Sequence, residues 1–322
     1  MAAFVMTALW AVVIIVNKRT LEYISPLALN FFLRGVSAIG ITVLTVPLTV
    51  FGLWSNGFGS NWAAAGYIAV SSIVTWLVAF STYYYALRVG KVSVVAPIAS
   101  TDPVWTALFA FAILGAAIGA PTLVGLAVVM TGVVLISRWM EDEPDVTVDA
   151  LGGPAFEPGV AAPPASAGGA ATPGSVVVVL SLVTAAGWGL GPILIDLASQ
   201  AYGRVTATMM IQSQLLGMAI LGAIILVRRM SLTPHALSPA QRRSAVRLIA
   251  VTGMLETFVT VLFYLCVQHI GPVLTMLIMA TTPVFAIAFG FVALRERVRA
   301  RLVAAALVTL SGVLLAVLEG SL

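Results

Sequence analysis

Arg34 is a charged side chain inside a long apolar stretch, where a charge is costly and usually marks a site or a pathway. It lies in the segment Phe31-Phe32-Leu33-Arg34-Gly35, roughly two helical turns into that stretch. Its guanidinium could hold a carboxylate or phosphate through two parallel hydrogen bonds. The alternatives are a structural ion pair and a side chain that reaches back to the membrane surface. We predict that Arg34 binds substrate.

Glu256 is the second charge at depth, near the middle of another apolar stretch. Apolar surroundings disfavour the charged form of a carboxyl, so this group could exchange a proton near neutral pH. A carrier that couples transport to protons needs such a group. The alternative is an acid that is permanently paired, with Arg34 as the candidate partner. We predict a proton-coupling role for Glu256.

A short segment around a proline occurs twice, at a constant offset of 180 residues, with Thr101 opposite Thr281 and Pro103 opposite Pro283. Proline removes one helical hydrogen bond. Broken or kinked helices at equivalent places in two repeats indicate a binding site near the membrane centre. We therefore predict that Pro103 and Pro283 belong to gating helices; the alternative is a kink that only shapes the bundle.

Polar and aromatic side chains complete the predicted substrate site. Asp102 and Thr281 lie in the repeated segment, and Gln212 lies opposite Arg34 in the second half of the chain. Gln212 or its neighbour Gln214 could instead join two helices by a hydrogen bond. The deepest tryptophans are the candidates for the cavity wall, and these are Trp10, Trp76, Trp105 and Trp188.

The composition requires lipid as the solvent. Of the 322 residues 61% are hydrophobic and 9% are charged, whereas a soluble domain has about a quarter charged residues. A membrane-spanning helix needs about 20 mostly apolar residues. Ten stretches qualify, at approximately 2–17, 26–51, 62–87, 92–115, 119–138, 175–199, 204–228, 244–268, 271–294 and 299–318. We predict an all-α polytopic membrane protein with ten transmembrane helices.

The connections between these stretches are short, except for one segment rich in acidic residues, proline, glycine and alanine. Such a composition cannot bury a core and predicts a disordered linker. We therefore divide the chain into a first five-helix repeat (1–139), a linker (140–174) and a second five-helix repeat (175–322). Because each repeat has an odd number of spans, the two repeats enter the membrane from opposite sides and form an inverted pair.

Basic residues in the loops predict the orientation, because cytoplasmic loops carry an excess of Lys and Arg. Only Arg204 falls on the side of both termini. The opposite side has 14 basic residues, which are Lys18, Arg19, Arg88, Lys91, Arg138, Arg228, Arg229, Arg242, Arg243, Arg247, Arg295, Arg297, Arg299 and Arg301. The count places both termini outside and the linker in the cytoplasm.

Several classes of function find no support in the sequence. It contains no phosphate-binding loop of the Gly-x-x-x-x-Gly-Lys-Ser/Thr type, no His-Glu-x-x-His helix and no Gly-x-Ser-x-Gly turn. Its single cysteine, Cys266, precludes a disulfide within the chain or a Cys-rich metal site. We predict no catalytic residue, metal or cofactor. The expected partners are a small-molecule substrate and membrane lipid but no nucleic acid, with a monomer or a homodimer as the assembly.

The 5+5 arrangement, the early Trp10, Arg34 in the second helix and the repeated Thr-x-Pro segment together resemble EamA-type transporters of the drug/metabolite transporter superfamily. Those proteins often have Leu-Gly-Glu before the last helix of each half. Arg295-Glu296 fits the second copy, while Gly115-Ala116 lacks the glutamate in the first. The resemblance implies a secondary carrier, often an exporter of amino acids, other metabolites or drugs. It also implies cytoplasmic termini, contrary to the charge count.

We predict from these features a secondary transporter in the cytoplasmic membrane that moves a small polar or amphipathic metabolite, in the export direction. It would work by alternating access, coupled to protons or to exchange. One alternative is a flippase for a lipid-linked intermediate. Another is a membrane scaffold or sensor that transports nothing and whose linker binds a cytoplasmic partner.

Overall fold

The computed structural model describes residues 1–50, 61–89, 95, 98–141, 174–233, 237–285, 288 and 300–319, and the regular structure in this part of the chain is helical. A π-helical segment, Ile73–Ala79, joins the third helix directly to the fourth. Numbered in chain order, the α-helices are α1 Ala2–Thr20, α2 Pro26–Val50, α3 Trp62–Ser72, α4 Phe80–Val89, α5 Asp102–Leu114, α6 Ala120–Glu141, α7 Gly174–Tyr202, α8 Ala207–Val227, α9 Pro239–Met279 and α10 Ala300–Glu319.

Five helical stretches in the described part are long and apolar enough to cross a membrane, namely Pro26–Pro47, Trp62–Leu87, Gly174–Tyr202, Ala207–Val227 and Pro239–Met279. Shorter apolar helices accompany them at Ala2–Asn17, Asp102–Leu114, Ala120–Ile136 and Val303–Val317. These helices fit a multi-pass membrane protein. Ten spans stay a prediction, because parts of the fourth and ninth predicted spans lie outside the described residues. So does the predicted linker, apart from its ends at Met140, Glu141 and Gly174.

The distribution of polar and apolar side chains suits a lipid environment. Large apolar side chains such as Val43, Phe111 and Leu307 are more than half exposed on the outer surface. Arg34 and Gln214, by contrast, are completely buried. A soluble protein would place its charges outside and its large apolar groups inside, so this bundle has the polarity expected when lipid surrounds it.

Pro103 and Pro283 lie at the starts of helical segments and not in the middle of continuous helices. Pro103 lies in the first turn of α5, where its missing N–H leaves no helical hydrogen bond unmade. A helix break precedes each proline, and the two breaks have the same hydrogen bond. The Thr101 hydroxyl donates to the Ile98 carbonyl at 2.7 Å, and the Thr281 hydroxyl donates to the Ile278 carbonyl at 2.6 Å. The sequence repeat is thus also a repeat of local structure, in which each proline follows a helix break.

α9 also contains a break, which lies at the first residue of the predicted span 271–294. Gly271 has a φ of 78° and a ψ of 164°, and Pro272 follows it. The positive φ favours glycine. The backbone therefore changes direction near the place where the sequence predicts a connection.

Small residues set the spacing between α6 and α10. A Cβ at Gly125 would lie 2.5 Å from the Gly312 carbonyl oxygen, and one at Gly132 would lie 2.7 Å from the Thr309 backbone nitrogen. The helices can approach this closely only because these positions have no side chain. α6 and α10 thus form a tight pair, as expected for a scaffold, while α1, α2, α3, α4, α7, α8 and α9 pack around the polar interior.

Candidate functional site

The centre of the candidate site is an ion pair between Arg34 of α2 and Glu256 of α9. Arg34 is 0% exposed and Glu256 is 2% exposed. The approach of α2 to α9 depends on small residues, since a Cβ at Gly253 would lie 2.4 Å from Val36 Cγ1. The sequence places a glycine one turn before the acid, and this allows the two charged side chains to meet.

Polar side chains from two further helices surround the pair. Arg34 Nη1 donates to Gln214 Oε1 at 2.8 Å, which connects α2 to α8. The Asn17 amide of α1 lies against the Glu256 carboxyl, and its Nδ2 donates to the Tyr84 hydroxyl at 3.2 Å. Four helices of the bundle therefore contribute polar groups to one buried point.

This polar centre has unused hydrogen-bonding capacity. Within the described residues, several of its buried atoms have no hydrogen-bond partner, and these are Arg34 Nε, Gln214 Nε2, Glu256 Oε1 and Asn17 Oδ1, together with Trp188 Nε1 in the neighbouring aromatic cluster. Buried polar atoms are normally satisfied by protein or ordered water. The set includes both donors and acceptors, so it could accommodate a solute that has both kinds of group.

Trp76 covers one face of the arginine. The Arg34 Cζ atom lies 3.9 Å from the centroid of the Trp76 ring and 5.5 Å from that of Phe80. A guanidinium over an indole face is stabilised by the electrons of the ring, by about 2 kcal/mol when water is excluded. Trp76 is itself oriented, because its Nε1 donates to Ser213 Oγ at 2.7 Å.

Aromatic rings continue from Trp76 into a cluster beside the ion pair. Trp76 lies 5.0 Å from Phe80, and Phe80 lies 5.2 Å from Trp188, between ring centroids. Trp10 and Tyr83 also contact Trp188, at 6.5 Å and 4.8 Å. Tilted and edge-to-face rings at these distances attract each other. The cluster places aromatic surface directly beside the charged pair.

The π-helical segment gives Trp76 its position. A π-helix leaves backbone carbonyls without the usual α-helical partner, and such segments often occur at functional sites. Here the fully buried Asn30 side chain of α2 donates to the Trp76 carbonyl at 2.5 Å. The Thr184 hydroxyl of α7 also lies 3.3 Å from the Ala79 carbonyl oxygen. Neighbouring helices thus place donors beside carbonyls of the irregular turn.

Three alternate glycines of α7 let the surrounding helices reach the site. A Cβ at Gly187 would lie 2.8 Å from Ala79 Cβ, one at Gly189 would lie 2.6 Å from Trp105 Cβ, and one at Gly191 would lie 2.4 Å from Thr75 Oγ1. The first and third glycines face the π-helical segment, and the second faces α5. The segment Gly187-Trp188-Gly189-Leu190-Gly191 therefore presents Trp188 to the aromatic cluster while two other elements pack against its backbone.

The structure brings together five of the residues predicted from the sequence. Arg34 and Glu256 form the pair, and Trp10, Trp76 and Trp188 lie in the adjoining aromatic cluster. A permanently paired structural acid and a substrate site would both have this arrangement. Substrate binding by Arg34 and proton coupling by Glu256 therefore stay predictions.

The remaining predicted residues lie elsewhere. Gln212 donates to the Ala65 carbonyl at 3.2 Å and joins α8 to α3, which was its alternative role. Trp105 packs on Phe109, with ring centroids 6.2 Å apart. Asp102 is buried at the start of α5, and the Thr281 hydroxyl is engaged with Ile278. Within the part of the chain that the structure describes, no contact places these four side chains around Arg34, and their roles in binding stay predictions.

Sequence reasoning did not select several residues of the site. The sequence prediction includes Gln212 and not Gln214, and it includes neither Asn17 nor Asn30. An asparagine inside an apolar helix is itself a signal, since its amide must find a partner. Phe80 carries no such signal, because a phenylalanine in an apolar stretch is ordinary.

A metal centre finds no support in the described part of the chain, where no three His, Cys, Asp or Glu side chains form a group that could hold an ion.

The sequence matches the family described as "EamA-like transporter family" over residues 1–138 and 175–318. A crystal structure described only as that of a protein has a similar fold, with a TM-score of 0.67 over 99% of this chain and 96% of that chain. Its sequence identity is 13%, so the similarity concerns the fold alone. No curated protein matches the chain.

Proposed function

Since the chain belongs to the EamA-like transporter family, a family of transporters and not of enzymes, we propose that it is a secondary active transporter with its substrate site at Arg34 and Glu256. It moves a small polar or amphipathic metabolite across the membrane by alternating access, coupled to protons or to exchange. The observation that carries this proposal is the buried Arg34–Glu256 pair with its unpartnered polar atoms and the aromatic cluster beside it.

The contacts between helices support an inverted repeat of two five-helix halves. Counted from the start of each half, the first helix packs against the element that contains the third helix of the other half: α1 contacts α9, which continues past the break at Gly271, and α7 contacts α3. The second helix also packs against the third helix of the other half, as α2 contacts α9 and α8 contacts α3. The pairs α2 with α8 and α6 with α10 each join equivalent helices. Such reciprocal packing is what a pseudo-two-fold axis produces.

The chemistry of the site suits coupling between a proton and a solute. While Glu256 is ionised, it occupies the Arg34 guanidinium. When Glu256 takes up a proton, the attraction between the two groups falls, and the guanidinium becomes available to a carboxylate or phosphate of the solute. The aromatic cluster beside it, from Trp76 to Trp188, suits the less polar part of such a solute.

Transport measurements on the Glu256→Gln variant test this proposal. The amide keeps the size of the side chain and can accept a hydrogen bond, but it cannot exchange a proton. In reconstituted vesicles we expect the variant to lose uptake driven by a proton gradient and to retain exchange of solute between the two sides.

Asp196→Asn is the matched control, because Asp196 is a carboxylate outside the site whose Oδ2 accepts from Gln200 Nε2 at 2.8 Å. It should leave proton-driven uptake unchanged. Unchanged proton-driven uptake in Glu256→Gln would show that Glu256 is structural. Binding of solute that is unaffected by Arg34→Gln would remove the substrate site from this position.

The orientation of the chain is a separate proposal. The Ser25 backbone N–H donates to the Leu232 carbonyl at 2.9 Å, so the loop after α1 and the loop after α8 meet at one end of the bundle. Arg228 and Arg229 lie at this end, and the N-terminus lies at the opposite end of α1. This asymmetry supports termini outside and basic loops in the cytoplasm. The test is a reporter that is active only in the cytoplasm, fused at Leu322. It should stay inactive, whereas an active fusion would support the cytoplasmic termini that the family resemblance implies.

A further inference from the structure

A basic groove lies on the surface at the start of α9, away from the buried ion pair. Its volume is about 480 Å³, and its lining combines three arginines with apolar groups. The residues that line it are Leu237, Pro239, Arg242, Arg243, Val246 and Arg247.

The three arginines are available to a ligand. All three are exposed, and within the described residues none forms a salt bridge with a carboxylate. Arg242 and Arg243 lie at the end of the first turn of α9, where the positive end of the helix dipole adds to their charge, and Arg247 lies one turn further along. The Ser238 side chain and Gln241 already cap this end of the helix, so the ligand would bind to the arginine side chains and not to free backbone N–H groups.

An apolar track leads from the arginines along the same face of α9. Arg243, Arg247, Val251, Met254 and Phe258 are spaced by four, four, three and four residues, which places them in one line along the helix. Val251, Met254 and Phe258 are 51%, 61% and 50% exposed. From Arg247 to Phe258 the helix rises about 16 Å, close to half of the roughly 30 Å hydrocarbon core of a bilayer.

We propose that this groove binds an anionic membrane phospholipid, with the phosphate and headgroup on Arg242, Arg243 and Arg247 and one acyl chain along Val251, Met254 and Phe258. The order of groups on the helix face, positive and then apolar over the depth of one leaflet, matches the order of groups in such a lipid. A soluble anion would use the arginines alone and would leave the apolar track without a role.

Titration of the purified full-length protein with phosphatidylglycerol and with phosphatidylcholine tests the proposal, with bound lipid counted by native mass spectrometry. We expect phosphatidylglycerol to bind more tightly. Arg242→Gln, Arg243→Gln and Arg247→Gln should each weaken its binding by about fivefold, which is the worth of one basic side chain near an anionic surface. The control is Arg204→Gln, since Arg204 is an exposed arginine in the turn between α7 and α8, and this variant should bind phosphatidylglycerol as the wild type does.

Two further comparisons decide between occupants. Met254→Asn together with Phe258→Asn should weaken phosphatidylglycerol binding, and inorganic phosphate should fail to compete with the lipid.

Equal binding of the two lipids, or equal loss in the Arg204 control, would overturn the proposal. So would full competition by inorganic phosphate, which would assign the groove to small anions. A variant that combines Arg242→Gln, Arg243→Gln and Arg247→Gln gives a last test. The proposal is also wrong if this triple variant keeps its lipid but changes the protease sensitivity of the acidic segment 142–173, since that result would assign the groove to the chain's own carboxylates.

Discussion

Arg34 and Glu256 form a buried ion pair although 222 residues separate them in the chain. The pair joins α2 to α9, and therefore joins the two halves that the sequence repeat defines. A charge pair of this kind contributes little net stability compared with apolar residues of similar size, because both groups lose their hydration. Stability alone therefore does not account for the presence of this pair in the interior.

Removal of one partner should be more harmful than removal of both. Arg34→Met or Glu256→Leu alone leaves an uncompensated buried charge and should lower the free energy of unfolding by about 3–5 kcal/mol. The double variant should be closer to the wild type than either single variant. Thermal or denaturant unfolding in detergent measures the cycle, with Arg204→Met as a surface control. If the double variant loses as much free energy of unfolding as the two single variants together, Arg34 and Glu256 do not interact directly.

The indole of Trp76 should contribute in two separable ways. Trp76→Phe keeps a ring over Arg34 but loses the hydrogen bond to Ser213 Oγ, so it should cost about 1 kcal/mol. Trp76→Leu also loses the ring and should cost about 2 kcal/mol more. Unfolding in detergent gives both values. Trp62→Leu is the control, because Trp62 is 84% exposed, and its effect should be small. Equal losses in the two Trp76 variants would exclude a contribution from the ring.

The sequence was sufficient to find the two charges and three of the tryptophans, because a charge in an apolar stretch is a local signal. It was not sufficient to choose between Gln212 and Gln214. The approximate offset between the halves placed Gln212 opposite Arg34, but residues two apart on a helix point about 200° apart. Gln214 contacts Arg34, and Gln212 faces α3.

The helix breaks and the π-helical segment show the same limit. The repeat of Thr101 and Thr281 predicted equivalent irregularities, and the structure has equivalent breaks with each proline after the break. The segment Ile73–Ala79 has no distinguishing pattern, since its residues are mostly apolar like those on both sides. Its stabilising partners, Asn30 and Thr184, come from helices that are distant in sequence, and only the folded chain brings them to its carbonyls.

The Asn30 side chain should support the π-helical segment. Asn30→Leu has nearly the same volume but leaves the partly buried Trp76 carbonyl without the Asn30 donor, which should cost about 1–3 kcal/mol. The tryptophan emission should also shift as Trp76 changes position. Thr131→Val is the control, because the exposed Thr131 hydroxyl only donates to Ala127 in its own helix. An unchanged unfolding transition in Asn30→Leu would show that the segment does not need this hydrogen bond.

Gly189 should be intolerant of even one added carbon, whereas Gly66 should accept it. A Cβ at Gly189 would lie 2.6 Å from Trp105 Cβ, 2.9 Å from Thr106 N and 3.0 Å from the Asp102 carbonyl oxygen. Two of these atoms belong to the backbone and cannot rotate away, so Gly189→Ala must separate α7 from α5. We expect a loss of about 1–3 kcal/mol in the free energy of unfolding and slower transport, since α5 begins at this contact.

A Cβ at Gly66 has no neighbour within 4 Å, so Gly66→Ala should stabilise α3 by about 0.5–1 kcal/mol. Unfolding measured side by side for the two variants gives the contrast, and equal effects would mean that α7 and α5 are not in close contact.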